Sequence, residues 1–186
     1  MNGKVIATVL ILSGAIAGGA LYYLQVYGYY HPVQAVAGQD VTLVGLASGE
    51  PEAILYDNFE AIDADSSPIR YRACFTTTMT QALLSETYVA AVKPQPRNGP
   101  AWFDCFDAEA IAAELEAGTA IAFLGRKNIH YGVDQIVAIT QDGRGYVWND
   151  LNDCGAKAYD GTVVGEECPP RPDDQPKDAP DARPAD

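Results

Sequence analysis

Charge is missing from the start of the chain: after Lys4, no Asp, Glu, Lys or Arg occurs throughout Val5–Leu24. Histidine is scarce, with 2 in 186 residues, and no C-x-x-C pair exists. That removes the usual zinc-binding and thioredoxin-like patterns. No cysteine lies near the uncharged stretch, which excludes a lipid anchor attached there through a thiol. No Gly-rich nucleotide loop is present. Basic residues are few as well: 12 Lys and Arg stand against 25 Asp and Glu, a formal net charge of −13. Such a surface repels polynucleotides and anionic headgroups, so no nucleic-acid partner is expected.

What is present at the N-terminus is a membrane-length apolar run. Twenty helical residues rise about 30 Å, the thickness of a bilayer's hydrocarbon core. Tyr22, Tyr23, Tyr27, Tyr29 and Tyr30 close the run, as an interfacial aromatic belt requires. Ala15-Ile16-Ala17 before Gly18 is a small-residue pattern suited to signal cleavage. Cleavage after Ala17 would leave Gly-Gly-Ala-Leu-Tyr-Tyr-Leu as a free apolar end. An uncleaved anchor is therefore the favoured reading. Lys4 and the amino terminus precede the run, which predicts a cytoplasmic N-terminus and an exported remainder.

About 160 residues follow, enough for one domain and too few for two. Cys74, Cys105, Cys154 and Cys168 form an even set, which in an exported domain reads as two disulfides with three possible connectivities. Cys74–Cys105 with Cys154–Cys168 is favoured, because each closes a local loop.

The pattern beyond the anchor predicts an α+β domain: an antiparallel sheet with one or two short helices. Val41–Ala47 and Ala53–Ile62 read as a hairpin around Ser48-Gly49-Glu50-Pro51, and Ile69–Thr76 as a further strand. Thr78–Ser85 reads as a short helix and Lys93–Pro100 as a proline-rich loop. Asp107–Leu115 is the strongest helix, with Asp107 as cap, Glu109 in the first turn and Gly118 as its stop. Thr119–Leu124, Val133–Thr140 and Tyr146–Asn149 read as strands, the last two joined by the turn Gln141–Gly145. The expected divisions are a cytoplasmic 1–4, a span over 5–24, a linker over 25–40, an exported domain over 41–168 and a disordered tail over 169–186. In that tail six of eighteen residues are proline.

Several clusters carry possible chemistry. His130 and Asp134 would share a strand face and could serve acid–base catalysis, yet no Ser or Cys nucleophile accompanies them. Asp63 with Asp65, and Asp150 with Asp153, lie in oxygen-rich loops that could hold Ca²⁺, though neither fits the twelve-residue calcium loop. Asx-rich turns commonly satisfy their own backbone instead. Arg70 and Arg72 would share a strand face, with Asp104, Asp107, Asp63 or Asp65 as partners, and Trp102 would pack beside a Cys74–Cys105 bridge. These three are the binding candidates. Within the span, Gly14 and Gly18, with Ala15 and Gly19, form a small-residue face that permits close helix docking.

The runs SSPIRYRACF (Ser66–Phe75) and WFDCFDA (Trp102–Ala108), and the stretch around Tyr131-Gly132-Val133-Asp134, are distinctive. With YYLQVY (Tyr22–Tyr27) and Cys154-Gly155, they resemble an uncharacterised family of alphaproteobacterial proteins. The resemblance implies a small, single-span exported protein of unknown function and supplies no catalytic residue. The expected role is non-enzymatic: an inner-membrane accessory or assembly protein with a periplasmic domain and a protein partner in the envelope, needing no cofactor. The alternatives are a small hydrolase using His130 and Asp134, or a Ca²⁺-binding module.

Overall fold

The computed structural model describes residues 2–170. From residue 171 onward, the tail expected to be disordered lies outside the described residues. Helix α1 spans Gly3–Tyr23 and runs on through Leu24–Gly28 as a wider turn. There the Tyr29 N–H donates to Leu24 O at 3.1 Å, an i to i+5 bond. Together they make 26 residues, the one helix among those described that is long and apolar enough to cross a membrane. None of its residues is buried.

The remainder is an α+β fold. The strands are β1 (Tyr30–Pro32), β2 (Thr42–Val44), β3 (Pro51–Ala53), β4 (Asp57–Ala64), β5 (Arg72–Thr76), β6 (Ala120–His130), β7 (Val133–Thr140) and β8 (Arg144–Leu151). Six of them form one sheet in the order β1-β4-β5-β8-β7-β6, all neighbours antiparallel. β2 and β3 make a separate hairpin. Two short helices, α2 (Gln81–Thr87) and α3 (Ala108–Ala117), complete the domain.

Both faces of the sheet are covered, and the alternation of side chains shows how. Ala73, Phe75, Val137, Ile139 and Val147 join Leu43, Ile54, Leu84 and Phe123 in one cluster. Their strand neighbours Cys74, Ile136, Ala138, Tyr146 and Trp148 join Phe103, Phe106 and Ile111 in a second. Period-two alternation between two apolar layers makes β7 an almost continuous apolar run. α3 lies on the second layer. Asp107 accepts from the N–H groups of Glu109 and Ala110 at 3.0 and 3.1 Å, and Gly118 ends the helix at φ 71°. That left-handed conformation suits glycine.

Disulfides join Cys74 to Cys105 and Cys154 to Cys168, with Cα–Cα distances of 6.2 and 5.0 Å. Two disulfides in a chain this size fit an oxidising compartment outside the cytoplasm.

Three expectations differ from the structure. The presumed linker over 25–40 contributes β1, whose Tyr30, His31 and Pro32 pair with Ala64, Asp63 and Ile62. A proline is tolerated there because the strand is at the sheet's edge. The presumed return strand Ala53–Ile62 is two elements: β3 closes the small hairpin and β4 crosses to the main sheet. Arg70 and Arg72 do not share a strand face. Pro68–Arg70 forms a 3₁₀ turn, with Pro68 at its start, and β5 begins only at Arg72.

Candidate functional site

The end of a helix leaves backbone carbonyls without intrahelical partners, and its dipole favours positive charge. At the end of the α1 stretch two of these carbonyls are taken by side chains of the domain. Arg70 donates to Gln25 O at 3.3 Å and to the Gln25 side-chain Oε1 at 2.9 Å. The Trp102 indole N–H donates to Val26 O at 2.7 Å. Aromatic contacts surround these bonds. Trp102 stacks on Tyr27 with centroids 6.3 Å apart and meets Tyr30 edge-on at 5.8 Å. The Arg70 guanidinium lies 5.5 Å from the centre of the Tyr30 ring. Two of the three binding candidates, Arg70 and Trp102, thus hold the end of the chain's own helix against the domain.

Arg72 explains why that clamp has a fixed shape. It is the first residue of β5, 3% exposed, with its guanidinium 5.5 Å from the centre of the Phe106 ring. Among the described residues its four hydrogen bonds all go to carbonyls: Arg97 O at 2.8 Å, Ile69 O at 2.9 Å, Tyr71 O at 2.6 Å and Asn98 O at 2.9 Å. One side chain therefore fastens the 3₁₀ turn to the proline-rich loop. The acidic partners expected for it are not used. Burial lowers its pKa to about 10, with Arg97 adding to the fall and Tyr30 and Asp150 opposing it. It remains charged at neutral pH. Asn149 supports the same turn, donating from Nδ2 to Pro68 O at 2.7 Å, while its Oδ1 is buried without a partner.

Arg97 comes from the proline-rich loop and donates twice to one oxygen of Asp150, from Nε at 2.7 Å and Nη2 at 2.5 Å. The helix exit, the 3₁₀ turn and this loop enclose a cleft of about 710 Å³, into which Arg70, Arg72 and Arg97 all face. Sequence reading missed Gln25, Arg97 and Asn149. The one available signal was an arginine set among prolines in Lys93–Pro100.

The other candidates are scattered. His130 is exposed at the end of β6, where its cross-strand partner is Val133. Asp134, one residue further along β7, belongs to the opposite face by strand alternation. Its carboxylate accepts from Asn128 N at 2.8 Å and Asn152 Nδ2 at 2.7 Å. The structure does not bring these two residues together as an acid–base pair. Asp150 is committed to Arg97, and Asp63 accepts from the adjacent Ala64 N–H at 2.7 Å. Asp65 and Asp153 are exposed. Among the described residues no three His, Cys, Asp or Glu side chains gather as a metal site. Gly14, Gly18 and Gly19 lie on open helix surface, with nothing within 4 Å of where a Cβ would stand.

A family of unknown function, DUF6446, matches residues 41–169. The match begins after the helix and β1 and covers the rest of the domain. No curated protein and no solved structure matches the chain.

Proposed function

The chain belongs to the DUF6446 family of unknown function, and on that premise we propose that it is a single-span membrane protein whose exported domain has an accessory, non-catalytic role. The observation that carries this reading is the clamp of Arg70 and Trp102 on Gln25 and Val26. A domain on a loose tether would tumble against the membrane. A clamped one keeps a fixed orientation, so that span and domain meet a partner as one body and the second contact gains from the first.

Other features support the same picture. The whole surface of α1 is open for lipid or a second helix. The two disulfides suit export, and Lys4 before the span favours a cytoplasmic N-terminus, with the domain in the periplasm of an alphaproteobacterial cell. On this reading Val5–Leu24 is an uncleaved span, and Gly14, Ala15, Gly18 and Gly19 form the face that approaches a helix of a larger inner-membrane complex.

The test is purification of the full chain in a mild detergent from its own membranes, with co-purifying proteins identified for the wild type, Gly14→Leu and Gly18→Leu. A protein retained by the wild type and lost from both variants, with the domain's disulfides still formed, is the expected result. Equal recovery from all three overturns docking through the span. Release of the chain from membranes as a species shortened to Gly18 overturns the anchor.

A further inference from the structure

The chain's overall charge is strongly negative, yet the cleft beside the helix exit has the opposite sign. Three of its 12 basic side chains, Arg70, Arg72 and Arg97, line that one cavity. Asp150 is paired with Arg97, and among the described residues neither Arg70 nor Arg72 forms an ion pair. Their bonds go to carbonyls and to one neutral amide.

Donor capacity is also left over. A guanidinium has five N–H donors. Arg70 directs one bond from Nη1 and one from Nη2 to Gln25, leaving its Nε and the remaining hydrogens open among the described residues. Arg97 turns Nε and Nη2 to a single Asp150 oxygen, which leaves Nη1 open among the described residues. Both are only half-buried, so an arriving anion can reach them. Arg72 is fixed by its four carbonyl bonds and contributes charge to the cleft rather than movement.

Position identifies the anion. The cleft wall includes Tyr22 from α1 and Tyr30 just beyond it, and Tyr27 and Trp102 stack at the same level. Aromatic residues of this kind sit at headgroup depth. An occupant of the cleft therefore meets the end of the span and the guanidinium groups of Arg70 and Arg97, with the buried charge of Arg72 behind them. Phosphate is the anion found at that depth, and arginine's planar fork matches its oxygens.

We infer that this cleft binds the phosphate of an anionic phospholipid headgroup in the leaflet that faces the domain, with Arg70 and Arg97 as its direct donors. The inference rests on the reading of α1 as a membrane span. A bound headgroup would hold the domain to the membrane surface despite the repulsion expected from a net charge of −13. The local field outweighs the distant carboxylates because screening limits those to about 8 Å at physiological salt.

The test uses the full chain in non-ionic detergent, with bound lipid counted by mass spectrometry of the intact complex. It is titrated separately with short-chain phosphatidylglycerol, short-chain phosphatidylcholine and inorganic phosphate. Phosphatidylglycerol should bind about tenfold more tightly than phosphatidylcholine, and Arg70→Gln and Arg97→Gln should each remove most of that preference, while Lys157→Gln, at an exposed lysine that does not line the cleft, leaves it intact. Two arginine variants guard against one that misfolds, and formed disulfides certify each. Equal binding of the two lipids overturns the inference, as does a preference that survives both arginine variants. Arginine-dependent binding of inorganic phosphate, without preference between the lipids, replaces the lipid with a soluble phosphate and overturns it too. Alkaline extraction of membranes is run in parallel. A chain that washes off refutes the span itself, whereas one that stays inserted without lipid preference refutes only the headgroup site.

Discussion

The Trp102 indole caps the backbone carbonyl of Val26 at 2.7 Å, although 76 residues separate the two in sequence. Trp102→Phe keeps an aromatic ring against Tyr27 and Tyr30 but removes the N–H. A net hydrogen bond of this kind contributes about 1 kcal/mol. Hydrogen exchange of amides 24–30 in the full chain should therefore quicken by about fivefold, since 1 kcal/mol is that factor in an opening equilibrium. The domain's own midpoint of unfolding should hardly move. Unchanged exchange in the variant would show that the indole does not hold the helix end.

The two disulfides should differ in weight. Cys74–Cys105 has a sequence separation of 31 and ties Cys74 of the second core layer to an exposed Cys105, while Cys154–Cys168 has a separation of 14. Loop-closure entropy assigns about 3.7 kcal/mol to the first and about 3 kcal/mol to the second. Replacing Cys74 by Ala also leaves a space in the second core layer, so that pair should cost more than the entropic figure. Urea unfolding of the two double variants checks the order. A larger loss from the Cys154 and Cys168 pair would contradict it.

Local features of the fold were legible in the sequence. α3 carries its own start and stop in Asp107 and Gly118, and the β7–β8 hairpin carries its own turn, so neither needs the rest of the chain to declare itself. β1 has no such signal. Tyr30-His31-Pro32 is three residues long and ends in proline, and it is a strand only because β4 offers an edge. Arg72 was visible as an unusual residue, but not its destination, because carbonyls at 97 and 98 carry no side-chain signature. Arg70 and Trp102 were singled out for binding, and what they bind is the helix that precedes them. Contacts of that kind depend on how distant segments meet, which periodicity and capping do not encode.

The cap of α3 gives a contained stability test. Asp107→Ala removes the acceptor for the N–H groups of Glu109 and Ala110. The expected loss is about 1 kcal/mol, with Asp107→Asn recovering most of it because asparagine caps nearly as well. The urea midpoint should fall without a change of slope, since the same surface is exposed on unfolding. If alanine and asparagine behave alike, the side-chain bond contributes nothing.

The β7–β8 turn gives a test in acid. The Thr140 hydroxyl donates to Asp142 Oδ1, and Arg144 Nε donates to Oδ2 at 2.9 Å. These two bonds, the hydroxyl first, lower the Asp142 pKa from 3.8 to about 2. A folded-state pKa below the unfolded value means that the ionised form favours the fold. That contribution is complete above about 4, shrinks as the pH falls, and is gone below about 2. Asp142→Asn should therefore be less stable than wild type at pH 6, and the gap should close as both are titrated towards pH 2. Arg144 also reaches Glu114 on α3 at 2.7 Å, so Glu114→Gln serves as a comparison for the other half of the pair. A wild-type and Asp142→Asn difference that stays constant from pH 6 to pH 2 would assign the turn's stability to backbone geometry rather than to the carboxylate.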